Sequence, residues 1–194
     1  MGTADLRKDQ LVRATIAEIA AHGAENVTVA QIAGRAGVSS ALAFHYFGDK
    51  DALFLGAMRH ILGLYGAEVR AALRDVGSPR ARLDAIVDAS FAPSNFERSV
   101  LAAWLHFYVA ARTNETVWRL LRLYHRRLRS NLLTGLRPLT GAAAPQIADG
   151  MGALIDGLYI RAGLTPGLRA ETARAQLRTY IDLQVTRYST GSPT

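Results

Sequence analysis

Cysteine is absent from this 194-residue chain. That removes disulfides, thiolate metal sites and cysteine nucleophiles, and it suits a reducing compartment. Proline is missing from the first 78 residues; all six (79, 93, 138, 145, 166 and 193) stand near expected helix boundaries. Long apolar runs are missing too. The best candidate, "MGALIDGLYIRAGL", carries Asp156 and Arg161 in its middle. The opening "MGTADLRKDQ" is polar and has no apolar segment of the signal-peptide kind. A soluble, cytoplasmic protein with no membrane association is the expectation. Catalytic devices are scarce as well. Five histidines (22, 45, 60, 106 and 125) show no paired metal-ligand spacing, and there is neither a phosphate-binding glycine loop nor a nucleophile elbow. No enzyme activity, no metal and no cofactor are expected.

What is present is apolar mass: 49% hydrophobic residues can fill a core, and 20% charged residues exclude a disordered polyelectrolyte. The net charge of +7 suggests nucleic acid, but its placement does not mark a DNA-binding end. Residues 1–60 hold six Lys/Arg and six Asp/Glu, so the whole excess falls in 61–194. Single charges therefore have to be read in their local setting.

Helical periodicity runs through almost the whole chain, with little β-type alternation, so the expected class is all-α with about nine helices. Two domains are expected: a three-helix domain at 1–50, and a larger helical domain at 51–190. Thr28 caps a short helix that buries Val29, Ile32, Ala33 and Ala36. A turn at Gly37-Val38 follows, then a second short helix from Ser39 or Ser40 to Phe47, and Asp49 caps the next. Two short helices crossing at a small residue and joined by a glycine turn form a helix-turn-helix. Capped by Ser39 and Ser40, the N-terminus of the second helix can enter a major groove.

The run Phe44-His45-Tyr46-Phe47 is too aromatic to be buried whole, because successive helical residues point about 100° apart. Leu42 and Phe47 are expected to face the body, while Phe44, His45 and Tyr46 point partly outward. The Tyr46 phenol and the Lys50 ammonium then make a two-point clamp on a DNA strand. The stretch "TVAQIAGRAGVSSALAFHYFGDKDAL" resembles the DNA-binding domain of the TetR family of one-component repressors, matching at Thr28, Ile32, Ala33, Ala36, Gly37, Val38, Ser39, Tyr46, Phe47, Lys50 and Leu53. It departs at Ala41 and Ala43. The expected DNA contacts are Thr28, Ser39, Ser40, Ala41, Phe44, His45, Tyr46 and Lys50, and the partner is a double-stranded operator.

In the second part, helix 95–113 is expected to bury Leu101, Trp104, Leu105 and Tyr108, with Phe107 pointing elsewhere. Helix 115–136 buries a stripe from Val117 to Leu132 and leaves Trp118 off it. Arg119, Arg122, Arg126 and Arg129 form a solvated face. Helix 143–163 joins an apolar face (Ile147, Met151, Leu154, Ile155, Leu158) to four glycines. With Leu177, Tyr180, Ile181 and Val185 of the last helix, it suggests a four-helix seam between the subunits of a homodimer. Asp156 lies inside that apolar helix and needs a partner, with Arg161 or another arginine the first choice.

"AWLHFYVAARTNETVWRLLRLYHRRLRSNLLTGLRPL" and "GALIDGLYIRAGL" resemble the choline-responsive, BetI-like repressors of glycine-betaine synthesis, through Trp104, Phe107, Arg126, Asn131, Asp156 and their neighbours. The pattern breaks at "FAPSNFERS", before the first of these segments. The resemblance implies choline as effector and control of betaine-pathway genes. A quaternary ammonium offers no N–H, so it is held by ring faces and a nearby carboxylate. The candidate effector residues are Trp104, Phe107, Tyr108, Trp118, Asp156 and Tyr159. A different lipophilic or cationic metabolite or drug is the alternative effector.

Overall fold

The computed structural model describes residues 2–165 and 167–189. Pro166, Pro193 and the tail beyond residue 189 lie outside the described residues. Among these there are nine α-helices and no strand: α1 (Thr3–His22), α2 (Val29–Arg35), α3 (Ser40–Phe47), α4 (Lys50–Ala72), α5 (Pro79–Ser90), α6 (Arg98–Ala110), α7 (Glu115–Thr140), α8 (Ala144–Leu164) and α9 (Ala170–Ser189).

Their boundaries follow from local chemistry. Thr28 Oγ1 accepts from the Gln31 N–H while the Gln31 side chain accepts from the Thr28 N–H, a reciprocal cap on α2. Ser39 Oγ accepts from Leu42 N at 3.2 Å, so Ser39 is the cap of α3 and Ser40 its first residue. Asp49 Oδ1 accepts from Ala52 N at 2.7 Å at the start of α4. Gly37 (φ +67°) and Gly48 (φ +85°) turn the chain before and after α3 in a left-handed conformation that other residues adopt only with strain. One proline breaks the expected pattern. Pro138 lies inside the last turn of α7, which runs on to Thr140. Having no N–H, it cannot bond the carbonyl of Thr134.

The chain divides into two compact units. The first comprises residues 1–63 and 97–118 and is not a contiguous stretch, because α6 packs along α1. Leu11, Ile19, Ile32, Ala33, Ala43, Leu53 and Phe54 form its core. An ion pair inside this core ties α1 to α2: the Glu18 carboxylate, whose side chain is 7% exposed, takes Arg35 Nε, with His22 Nε2 at 3.4 Å. Phe47 is seated in the same unit against Gly56, the one place in α4 where an added Cβ would strike the ring.

The second unit comprises 64–96 and 119–194, described to residue 189. Its core takes Leu83, Ile86 and Val87 from α5, Leu121, Tyr124, Leu128 and Leu132 from α7, and Ile147, Met151, Ile155 and Leu158 from α8. Leu177 and Ile181 of α9 are buried here too. Most of the apolar residues that suggested a seam are thus buried within the subunit's own core. Leu164 and Leu183 are the large apolar side chains that α8 and α9 leave exposed. Trp118 is 41% exposed, and Arg119, Arg122, Arg126 and Arg129 are exposed, as the periodicity indicates.

Candidate DNA interface and effector-binding region

The α3 helix presents one outward stripe. Ala41, Phe44 and His45 are exposed at i, i+3 and i+4, and Gly48 continues the stripe at i+7. Ala43 is fully buried on the opposite side, and Leu42, Tyr46 and Phe47 are half-buried. Phe44 holds half its surface in solvent, an expensive position for a ring that nothing covers. Thr28 is exposed at the start of α2, Ser39 is exposed, and Ser40 is half-buried.

Both clamp residues have partners inside the unit. Tyr46 packs its ring near His45, with centroids 5.4 Å apart, and receives Lys8 Nζ over its face at 5.7 Å. Lys50 Nζ donates to the Glu25 carbonyl at 3.3 Å and lies over the Phe54 ring at 5.4 Å. Lys8 and Glu25 carry no sequence signal for these roles, since each is set by chain folding over a long separation.

The candidate effector residues fall in both units. In the first, Trp104 meets Phe107 edge-on at 5.8 Å and Tyr108 at 5.5 Å. Phe107 is buried too, at 2% exposed, while Leu105 and Tyr108 are half-buried. α6 is covered on more than one side, so a single-stripe reading misassigns it.

In the second unit, Tyr159 of α8 stacks on Phe91 at 5.7 Å and meets Phe96 edge-on at 5.8 Å, while Phe91 and Phe96 stand 5.5 Å apart. The Tyr159 hydroxyl donates to the Ser90 carbonyl. Tyr65 shares a hydrogen bond with the Ser90 hydroxyl at 3.2 Å and packs against Tyr124 at 5.9 Å. Glu68 closes the group: its carboxylate accepts from Ser94 Oγ at 2.6 Å and from the Asn95 amide, which also reaches the Ala89 carbonyl. Four of these residues, Phe91, Ser94, Asn95 and Phe96, come from the "FAPSNFERS" segment. None was a candidate by sequence: the helix expected from residue 95 begins only at Arg98, so all four lie in the link between α5 and α6. Asp156 takes His125 Nε2 of α7 at 2.8 Å.

Burial pushes the Tyr65 phenol up to about 12; its bond to Ser90 opposes this, and the charges of Asp156 and Glu68 add to it. Burial also raises Tyr159 well above the ordinary phenol value, with Tyr65, Glu68 and Asp156 contributing. Two carboxylates thus act on two neutral, buried phenol rings. That field is the one a cation among those rings would feel. Among the described residues, no group of three or more His, Asp or Glu is placed to hold a metal, and no helix is long and apolar enough to cross a membrane.

Family models match both parts of the chain. Residues 11–57 match the bacterial regulatory proteins of the tetR family, and residues 79–186 match the BetI-type transcriptional repressor C-terminal domain. This chain belongs to the TetR family, with a BetI-type C-terminal domain. Such proteins are DNA-binding transcriptional repressors rather than enzymes. The regulator BetI of Brucella suis is 46% identical over 187 residues, covering 95% of this chain and 94% of its own. BetI of Agrobacterium fabrum is 44% identical over 193 residues, covering 98% and 94%. Among solved TetR-like structures, a transcriptional regulator of Pseudomonas aeruginosa superposes with a TM-score of 0.81 at 29% identity, over 97% of this chain and 96% of that one. A regulator of Saccharomonospora viridis, solved in complex with choline, gives 0.78 at 23% identity over 90% and 95%; at that identity the likeness is one of fold.

Proposed function

We propose that this TetR-type repressor acts in the cytoplasm as a homodimer and leaves its operator when choline, or a closely related quaternary ammonium, binds its second unit. Its targets would be the genes of glycine-betaine synthesis. The observation that carries the reading is the group of Phe91, Phe96, Tyr159 and Tyr65 with the Glu68 and Asp156 carboxylates around it. Ring faces and opposite charge are the chemistry a trimethylammonium group requires. The BetI relatives and the choline complex of a structural neighbour support the choice of cation.

Phe91, Phe96 and Tyr159 pack on one another, so an entering cation must part them. Parting them disturbs the Tyr159–Ser90 and Glu68–Asn95 hydrogen bonds. Glu68 stands on α4, whose first turn carries Lys50. A ligand that favours one position of α4 biases the spacing of the two recognition helices in a dimer, and this is a population shift. The DNA contacts are assigned to Thr28, Ser39, Ser40, Ala41, Phe44, His45, Tyr46 and Lys50, with Lys50 leaving the Glu25 carbonyl for phosphate. The exposed Leu164 and Leu183 are assigned to the pairing of α8 and α9 with a second subunit.

Calorimetric titration with choline tests the effector. Saturable binding that weakens about tenfold or more in Glu68→Gln, or about 1.4 kcal/mol, is expected. No heat at millimolar choline would overturn the choice of cation and favour a different metabolite or drug.

A further inference from the structure

A cleft of about 400 Å³ opens in the first unit, lined by none of the residues assigned to the effector. Glu25, Asp51, Phe54, His106, Val109 and Arg112 are among the residues that line it, and the Lys50 ammonium reaches the Phe54 ring beside it. Phe54 and His106 meet with ring planes nearly perpendicular, centroids 4.9 Å apart, and Phe54 is 6% exposed with Lys50 beside it. The chain itself shows what the Phe54 face accepts. The Lys50 ammonium lies over it at 5.4 Å while donating to the Glu25 carbonyl. An ammonium on an aromatic face beside two carboxylates is a cation site in miniature, filled from within.

We propose that this cleft is a second binding site, for a small organic ammonium compound, whose occupant competes with Lys50 for the Phe54 face. The cleft has the volume for such a ligand, and once Lys50 is off Phe54 its two carboxylates outnumber Arg112, which sets the sign of charge it selects. The consequence for DNA rests on the reading of Lys50 as a phosphate contact. Operator and occupant both draw Lys50 off Phe54, so by linkage each favours the other. An occupant here would strengthen operator binding, opposite in sign to the effector of the second unit. Burial holds the His106 imidazole below its ordinary value; Lys50 lowers it further, and Glu25 and Asp51 oppose. That imidazole is therefore a local reporter of charge in the cleft.

The test needs no DNA and does not depend on choline. The His106 ring proton is followed by NMR in the full chain during titration with tetramethylammonium chloride, against sodium chloride at equal ionic strength. A saturable shift beyond the salt control is expected. Lys50→Ala should tighten its midpoint about threefold, the size of one exposed cation–ring contact, and Asp51→Asn should weaken it. A His106 signal that follows ionic strength alone, or a midpoint that Lys50→Ala leaves unchanged, would overturn the proposal. Calorimetry on Glu68→Gln reports the second unit separately, so failure at either site is distinguishable from failure at the other.

Discussion

Replacing Gly56 with alanine tests how the recognition helix is held. A Cβ at Gly56 would lie 2.8 Å from Phe47 Cε1, 3.5 Å from Phe47 Cδ1 and 3.6 Å from Val12 Cγ2. The first distance is one that real contacts do not tolerate, and the atom it meets is a ring edge seated in the first unit. Phe47 is the last residue of α3 and stands next to Tyr46, so displacing its ring disturbs the DNA-facing stripe. Two effects oppose each other. Alanine in mid-helix is worth about 0.5–1 kcal/mol over glycine. Overpacking a filled contact costs about 1–3 kcal/mol. The clash should win by about 1 kcal/mol, lowering Tm by about 2–4 °C in a chain of this length. Gly63 supplies the control on the same helix. It is exposed and an added Cβ there has nothing within 4 Å, so Gly63→Ala should stabilise by about 0.5–1 kcal/mol through propensity alone. Calorimetric melting and fluorescence anisotropy on operator DNA read both variants. Gly56→Ala should melt lower and bind DNA less tightly; Gly63→Ala should melt higher. If both variants raised Tm alike and left DNA affinity unchanged, Phe47 would not be seated on α4 as described.

Two further outcomes follow from buried polar groups. Arg35→Ala leaves the Glu18 carboxylate buried with His22 Nε2 at 3.4 Å beside it, and should destabilise by about 1–3 kcal/mol, the exposure of Arg35 keeping the figure below that for a fully buried pair. Denaturant melts check this, and in a double-mutant cycle Glu18→Gln should recover part of the loss. Tyr65 has a folded-state value above its unfolded one, so the folded state keeps a proton that the unfolded state gives up; its contribution to stability is fully present below pH 10 and is lost as pH rises from 10 to about 12. Phenolate absorbance during alkaline titration should show Tyr65 and Tyr159 ionising last, together with loss of helical signal, and their early ionisation would refute the buried placement.

The sequence made much of this legible where a local rule decided the outcome. Thr28, Gly37, Ser39 and Asp49 are caps and turns set by their own few neighbours, and α7 buries one clean stripe. The misses share a different cause. Glu18 with Arg35, Asp156 with His125, and Glu68 with Asn95 lie 17, 31 and 27 residues apart, and no periodicity predicts which charge meets which. Phe107 was misplaced because α6 is buried on several sides. The second-unit ring group was only half seen: Tyr159 and Asp156 lie on a periodic helix, whereas Phe91 and Phe96 lie in the link between α5 and α6, which is longer than the expected helix 95–113 allowed.

The measurement closest to the central claim is fluorescence anisotropy of the protein on duplex DNA from upstream of its own gene, with choline added stepwise. Tight binding without choline and saturable release at millimolar choline are predicted, with release blunted in Glu68→Gln. Operator binding that choline leaves untouched, in protein shown by calorimetry to have bound it, would contradict the account.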